Sequence, residues 1–154
     1  MLLPTGQRTE WLRFPDSRDV VGVICLDDQR RVLVAYQYNA GPRRTVDEFP
    51  GGGVAPDESY LEGARRELRE EVGIYAHNLQ EIGAFLPHNR RWSGRCRVFV
   101  ATQLEQQQAT PDAEEFISYE WLTIAEVEQR IRTGVLENGT LLAAWTLFRL
   151  NYPL

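Results

Sequence analysis

Residues 52–74 read GGVAPDESYLEGARRELREEVGI and join a glycine-rich turn to a strongly charged helix pattern. Glu67, Glu70 and Glu71 occupy positions i, i+3 and i+4, which places three carboxylates on one side of an α-helix. Like charges at this spacing repel, so a helix gains nothing from them unless cations lie between them. Because Mg²⁺ prefers oxygen ligands from carboxylates and phosphates, the stretch predicts a site for a metal ion and a phosphate group.

The spacing of the fixed residues is more specific than their charge. The following residues match every fixed position of the Nudix box: Gly52, Glu58, Arg66, Glu67, Leu68, Glu70, Glu71, Gly73 and Ile74. The sequence therefore resembles the Nudix hydrolases, which cleave the pyrophosphate of nucleoside diphosphates linked to another group. A surface helix of Arg–Glu pairs is the alternative, and it would explain the charges but not the flanking glycines.

The same stretch has the ends and the apolar stripe of a helix. Asp57 is the predicted N-cap, and Gly73 can end the helix in the left-handed conformation. The predicted buried stripe consists of Leu61, Ala64, Leu68 and Val72. Arg66 precedes Glu70 by one turn, which predicts an ion pair. The resemblance implies that this arginine orients a carboxylate rather than taking part in the chemistry.

Length and composition predict a single domain over residues 1–154. The hydrophobic content of 43% and the charged content of 25% are typical of globular proteins. No apolar run approaches the roughly 20 residues of a membrane span, and the first residues lack the pattern of a secretory signal. Cys25 and Cys96 match no zinc-binding spacing and are expected to be reduced. The expected location is therefore the cytoplasm, without contact with a membrane.

The basic residues limit the chemistry and the partners. All 17 are arginine, which excludes lysine Schiff-base chemistry and the P-loop lysine. The net charge of −5 argues against a nonspecific grip on nucleic acid. The arginines nevertheless cluster, at Arg43 and Arg44 and again around Arg90 and Arg91. Local basic clusters in an acidic protein suit a small polyanion, so these four are candidate substrate-binding residues, with solvated loops as the alternative.

Strand and helix patterns cover most of the chain. Strand-like runs lie at 20–26, 32–38, 79–86, 95–104 and 116–122, with a further edge strand at 9–14. A short segment at 45–49 leads from a turn to the glycine loop. Helical patterns after the charged helix lie at 124–132, with Thr123 as the cap, and at 138–150. This order predicts an α/β (α+β) fold. The resemblance implies the Nudix fold, an α/β/α sandwich around a mixed β-sheet, over essentially the whole chain.

Pyrophosphate hydrolysis needs metal ligands and an activated water. Glu67, Glu70 and Glu71 are candidates to hold one to three Mg²⁺ ions, with Mn²⁺ as a substitute. The resemblance implies a further ligand from the backbone carbonyl of Gly51 or Gly52. A metal-bound water has a lowered pKa and needs only a nearby carboxylate to accept its proton.

The identity of that general base is left open by the resemblance. Some Nudix enzymes use a box glutamate, here Glu70, whereas the ADP-ribose pyrophosphatases use a glutamate from a loop near the C-terminal part of the sheet. Segment 111–117 takes the matching position, so Glu115 and then Glu114 are the candidates. The alternative is that this segment is only a solvated acidic loop. Glu48 corresponds to an outer-site carboxylate in many relatives.

The flanking sequence narrows the substrate class. VLVAYQY (32–38), DEFPGG (47–52) and EEFISYEWLT (114–123) resemble the ADP-ribose and nucleoside-diphosphate-sugar pyrophosphatase branch. This implies a small nucleotide substrate, with a homodimer as one open arrangement. Asn39 replaces an arginine of that branch, and PHNRRWSGR (87–95) replaces its usual loop. Nucleoside triphosphates, dinucleoside polyphosphates and RNA 5′ ends therefore stay open as substrates, and a non-catalytic ligand sensor is a further alternative.

Overall fold

The computed structural model describes residues 4–8, 10, 18–109 and 117–152, and all of the helices and strands named below lie within these ranges. In chain order they are β1 (Val20–Cys25), β2 (Arg31–Asn39), β3 (Arg44–Glu48), α1 (Tyr60–Val72), β4 (Ile74–Phe85), β5 (Cys96–Gln106), β6 (Ile117–Thr123), α2 (Ile124–Arg132) and α3 (Gly139–Asn151). Apart from β3, which lies where the sequence predicts only a short segment at 45–49, this is the order predicted from the sequence. The predicted edge strand at 9–14 falls, apart from Glu10, outside the described residues.

The strands form two three-stranded sheets. In the first sheet β5 lies between β1, to which it is parallel, and β4, to which it is antiparallel. In the second sheet β2 lies between β3 and β6 and is antiparallel to both. A bridge between Leu26 and Val32 connects β1 with β2 across the turn between them. The resemblance implies a single mixed sheet. The described strands form two sheets, and only the first of them contains both parallel and antiparallel pairs.

Two hydrophobic cores lie on opposite faces of these sheets. Val23 of β1 belongs to the core that contains Leu68 of α1. The next residue, Ile24, belongs to the core that contains Val127 of α2 and Phe148 of α3. Because side chains of a strand alternate between its faces, β1 contributes to both cores. The helices therefore cover both faces, which confirms the α/β/α sandwich and the mixed α+β class.

Helix α1 begins two residues later than predicted. Its N-cap is Ser59, whose side chain accepts a hydrogen bond from the Glu62 amide, while the Glu62 side chain accepts from the Ser59 amide. This capping box satisfies two free amides at once, so it outcompetes Asp57 as the cap. Leu61, predicted to be buried, lies in the first turn and is exposed, whereas Ala64, Leu68 and Val72 are buried as predicted.

The C-terminal end of α1 leads directly into a strand. Gly73 adopts the left-handed conformation with a φ of 65°, as predicted, and β4 begins at the next residue. A Cβ at Gly73 would lie 2.6 Å from the carbonyl oxygen of Gln107, so only glycine fits here. The strand predicted for 79–86 begins earlier, at Ile74. The prediction missed its first half because that half contains exposed polar residues such as His77 and Asn78.

Two further sequence expectations can be compared with the fold. Cys25 and Cys96 are both buried and both free, as expected for reduced thiols. Within the described part of the chain, no helix is long and apolar enough to cross a membrane.

Candidate metal and phosphate site

The glycine-rich turn lies against the edge of β1. The Val21 amide donates a hydrogen bond to the Gly52 carbonyl at 2.9 Å, and the Val23 amide donates to the Pro50 carbonyl at 2.8 Å. A Cβ at Gly51 would lie 2.0 Å from the carbonyl oxygen of Val21. A side chain at this position would separate the turn from the strand. The first glycine therefore fixes where the turn runs.

Two carboxylates of α1 lie against this turn. A Cβ at Gly52 would lie 2.5 Å from Glu67 Oε1, so the Glu67 carboxylate occupies the space that a side chain would fill. Glu67 is only 9% exposed. Glu71 Oε2 accepts a hydrogen bond from the Gly51 amide at 2.9 Å. The sequence placed these residues in one motif, and the fold brings their carboxylates together with the two glycines.

Arg66 joins three carboxylates of the motif. Its Nε and Nη2 donate to the two oxygens of Glu58 at 2.9 and 3.0 Å. Its Nη1 donates to Glu67 Oε1 at 2.8 Å and to Glu70 Oε2 at 3.0 Å. Nη2 also donates to the carbonyl of Gly53 at 2.8 Å. The predicted pair between Arg66 and Glu70 is confirmed, and it is one part of a larger network.

The network shifts the protonation of its members. Hydrogen bonding to Glu58, followed by contacts with Glu70 and Glu67, raises the pKa of Arg66. The same hydrogen bond from Arg66 is the main cause of the lowered pKa of Glu58. Gly63 contributes by leaving room, since a Cβ there would lie 3.1 Å from Glu58 Oε2. Arg66 and Glu58 are therefore charged at neutral pH and hold the carboxylate side of the helix together.

The carboxylates each have a protein partner in this arrangement. Among the described residues, no group of three acidic, histidine or cysteine side chains is drawn together at metal-binding spacing. Glu67 and Glu70 accept from Arg66, and Glu71 accepts from Gly51. The donor set nevertheless fits a hard divalent cation, because it consists of carboxylate oxygens beside backbone carbonyls. The space left by Gly52 lets Glu67 reach this position.

A pocket of about 190 Å³ opens beside the glycine turn. Glu48, at the end of β3, lines it together with Gly51 and Gly52. Asn39 Nδ2 donates to Glu48 Oε1 at 3.3 Å, so the residue that departs from the branch pattern contacts the predicted outer-site carboxylate. Glu48 is half-buried and borders the space next to the motif.

The far wall of this pocket was missed by the sequence reasoning. It is formed by the start of α3, where Asn138 and Thr140 line the pocket. The Asn138 side chain caps this helix by accepting from the amides of Thr140 and Leu141. The sequence did show Asn138 at the helix start, but nothing in it indicated that this end of α3 faces the glycine turn.

The four candidate substrate arginines lie at the surface. Arg43 and Arg44 are exposed at the turn between β2 and β3, and Arg44 forms an ion pair with Glu137, next to the start of α3. Arg90 and Arg91 are exposed in the connection between β4 and β5, where the Arg91 amide donates to the His88 carbonyl at 3.2 Å. The described hydrogen bonds and ion pairs of Arg66, Glu58 and Glu70 include none of these four guanidinium groups.

The base candidates come from two parts of the chain. Glu114 and Glu115 lie outside the described residues, which resume at Ile117 in β6. Glu70, the base candidate within the motif, accepts a hydrogen bond from Arg66 Nη1, as Glu67 does.

Comparison with known proteins agrees with this geometry. The model of the NUDIX domain matches residues 16–144. An ADP-ribose pyrophosphatase of Mycobacterium tuberculosis is 31% identical over 128 residues, which cover 80% of this chain and 61% of that protein. An RNA pyrophosphohydrolase of Caulobacter vibrioides is 29% identical over 147 residues, which cover 82% of this chain and 85% of that protein.

A solved structure described as an ADP compounds hydrolase has the same fold. It superposes with a TM-score of 0.85 at 23% sequence identity and covers 96% of this chain and 80% of its own. The matched segment spans about three fifths of the length of the M. tuberculosis enzyme. With the domain model covering most of the sequence and the motif geometry in place, the chain belongs to the NUDIX family.

Proposed function

We propose that this protein is a Mg²⁺-dependent pyrophosphohydrolase that cleaves ADP-ribose or a related nucleoside-diphosphate sugar. The observation that carries this proposal is the close approach of the Glu67 carboxylate to Gly52, with Glu71 bound to the amide of Gly51. This arrangement brings hard oxygen ligands to the glycine turn, beside the pocket of about 190 Å³ in which a pyrophosphate would lie. The name of the M. tuberculosis relative supports the substrate class.

The chain's own residues have distinct roles in this proposal. Glu67, Glu70, Glu71 and the carbonyl of Gly51 or Gly52 would hold the cation, with Mn²⁺ as a substitute for Mg²⁺. When bound, the cation neutralises charge on the pyrophosphate and lowers the pKa of a water molecule. Arg66 keeps Glu67 and Glu70 in position through the hydrogen bonds described above. Glu115, Glu114 or Glu70 would accept the proton of the attacking water.

A second substrate class has its own support. The relative from C. vibrioides is named RNA pyrophosphohydrolase, so an RNA 5′ end is the second candidate. The net charge of −5 favours a small nucleotide over an extended nucleic acid, because a basic surface is needed to neutralise many phosphates. A single domain over residues 1–154, a homodimer and a cytoplasmic location also stay proposals.

Metal removal tests the catalytic part of the proposal. We expect EDTA to abolish hydrolysis and added Mg²⁺ or Mn²⁺ to restore it, because the carboxylates alone cannot neutralise the pyrophosphate. The measurement is a panel of ADP-ribose, nucleoside-diphosphate sugars, nucleoside triphosphates, dinucleoside polyphosphates and 5′-triphosphate RNA, with each product identified. Full turnover in excess chelator would contradict metal dependence. If RNA is the one member of the panel that is hydrolysed, an RNA 5′ end replaces the nucleoside-diphosphate sugar as the substrate. Binding without turnover would indicate a ligand sensor.

Alanine variants test the arginines between β4 and β5. If Arg90 or Arg91 grips a phosphate, Arg90→Ala or Arg91→Ala should raise KM about 10- to 100-fold and lower kcat less, since the contact exists before the transition state. Arg132→Ala is a matched control, because Arg132 is exposed on α2 and pairs with Glu128. Steady-state kinetics with the best panel substrate decides between substrate contact and solvated surface. Unchanged KM values in both variants would assign these arginines to the solvated surface.

A further inference from the structure

Asp19 is hydrogen-bonded to three separate segments of the chain, two of which lead to the proposed site. Its backbone carbonyl accepts a hydrogen bond from the Val54 amide at 3.1 Å, next to the glycine turn. Its Oδ2 accepts from the Tyr60 hydroxyl at 2.7 Å, and Tyr60 is the first residue of α1. Its Oδ1 accepts from the Arg95 amide at 2.9 Å. One residue just before β1 is therefore bonded to the turn, the helix and the connection between β4 and β5.

That connection, residues 86–95, is called the arginine loop because it contains Arg90, Arg91 and Arg95. Its C-terminal end is packed closely against the chain around Asp19. A Cβ at Gly94 would lie 2.1 Å from the carbonyl oxygen of Arg18. The Val20 amide also donates to the Arg95 carbonyl at 2.8 Å. The position of the loop at this end is therefore set by residues 18–20.

Tyr60 is itself held in place from the other side. The guanidinium carbon of Arg97 lies 4.0 Å from the centre of the Tyr60 ring, within the range of a cation–π contact. Arg97 Nη1 donates to Glu81 Oε1 at 2.9 Å. Since Arg97 belongs to β5 and Glu81 to β4, the two strands that the loop connects also fix the ring to which Asp19 is bonded.

The carboxylate of Asp19 is a strong hydrogen-bond acceptor. The hydrogen bond from the Arg95 amide is the largest cause of the lowered pKa of Asp19, and the Tyr60 hydroxyl lowers it further. Asp19 is therefore ionised at neutral pH, and an ionised acceptor makes both hydrogen bonds stronger than neutral ones. A half-buried carboxylate with two fixed donors has little freedom to turn away.

We propose that Asp19 and Tyr60 are positioning residues, which hold the arginine loop at a fixed place relative to the glycine turn and α1. The inference rests on the proposed function, because it assigns the loop to the substrate of that site. Asp19 and Tyr60 act through the loop and do not contact the reacting atoms. Their loss should weaken substrate binding more than it slows the chemical step.

Substitutions of both residues separate positioning from general stability. Asp19→Ala removes both side-chain hydrogen bonds and should raise KM about tenfold, with kcat within about threefold of wild type. Asp19→Asn keeps an oxygen that can accept from the Arg95 amide, so it should recover part of the loss. Tyr60→Phe removes one hydroxyl and should raise KM about threefold. Melting curves show whether each variant is folded, and Tyr60→Phe is the mildest change.

Tyr75→Phe is a matched control for Tyr60→Phe. The Tyr75 ring also lies beneath an arginine, with the guanidinium carbon of Arg65 at 6.0 Å from its centre. Tyr75 belongs to the first half of β4, on the opposite end of the strand from the arginine loop. The KM of Tyr75→Phe should stay within about twofold of the wild-type value. An equal rise of KM in both phenylalanine variants would overturn the positioning role.

A double-mutant cycle tests whether Asp19 acts through the loop. When Arg90 and Arg91 are both replaced by alanine, Asp19→Ala should add no further rise in KM, because the loop then has no arginine contact with the substrate that misplacement could weaken. A KM effect of Asp19→Ala that persists in full in that background would overturn the inference. So would an Asp19→Ala variant whose loss lies entirely in kcat.

Hydrogen exchange of peptide 86–95 gives a readout that needs no substrate. Asp19→Ala should speed exchange at this peptide at least tenfold, whereas peptides from β2 should keep the wild-type rate. Unchanged exchange would overturn the anchoring by Asp19 even if the enzyme is active. Wild-type protein that hydrolyses nothing in the panel would instead overturn the proposed function, and exchange at 86–95 would still report on the anchor.

Discussion

Replacing Glu70 or Glu71 with glutamine is expected to lower kcat at least ~100-fold while the protein stays folded. Glutamine keeps the shape of the side chain but loses the negative charge of a proposed metal ligand. Arg66 keeps its hydrogen bonds to Glu58 and Glu67 in the Glu70 variant, and the amide oxygen of a glutamine at 71 can still accept from Gly51. Steady-state kinetics at saturating Mg²⁺ measures the loss, and thermal melting in EDTA tests the fold.

Glu62→Gln is the control for these two variants. Glu62 lies in the first turn of the same helix, is exposed, and bonds to Ser59 in the capping box. Glutamine also serves at this position of a capping box, so activity and melting temperature should both stay close to wild type. Activity near the wild-type level in both the Glu70 and the Glu71 variants would mean that the metal is bound elsewhere.

Gly52→Ala is expected to lower kcat about 10- to 100-fold through a single methyl group. The added Cβ would lie 2.5 Å from Glu67 Oε1, so the carboxylate has to move away from the glycine turn. Glu67 is buried and already bonded to Arg66, and its displacement therefore disturbs the ligand set rather than an exposed side chain. The assay is kcat as a function of Mg²⁺ concentration, since a displaced ligand should also raise the concentration needed for half-maximal activity.

The neighbouring glycine provides a close control for this substitution. A Cβ at Gly53 would meet no atom within 4 Å, and Gly53 is exposed. Gly53→Ala should therefore keep kcat within about twofold of wild type. If Gly52→Ala and Gly53→Ala have the same kcat, the close approach of Glu67 to Gly52 does not determine the activity.

The parts of the structure that are predictable from sequence depend on residues close together in the chain. The turn and the carboxylate face of α1 lie within residues 52–74, where spacing alone determines which side chains share a face. Thr123 is the cap of α2 and Asn138 stands at the start of the last helix, both as predicted. The predicted N-cap of α1 is wrong because Asp57 and Ser59 are both good caps, and only the reciprocal bond with Glu62 favours Ser59.

The parts that the sequence does not reveal depend on contacts between distant residues. Asp19 is 41 positions from Tyr60 and 76 positions from Arg95, so no local pattern marks it. The pocket wall at Asn138 and Thr140 arises because α3 packs beside the end of β3, about 90 residues earlier in the chain. The division into two sheets likewise depends on where β1 and β2 diverge after the Leu26–Val32 bridge. The periodicity of a strand predicts which of its residues share a face, but it does not predict which strands lie beside it.

The arginine at the centre of the acidic network has a consequence for how the protein behaves when cations are scarce. Arg66 acts as an internal counter-ion, because its guanidinium is bonded to Glu58, Glu67 and Glu70. The mutual repulsion of the helix carboxylates is thereby offset by the chain itself. We therefore expect the domain to fold without a metal ion, unlike small zinc domains that fold only around their ion. Under the proposed function, such a domain would stay folded when divalent ions are scarce and would regain activity when they are supplied again.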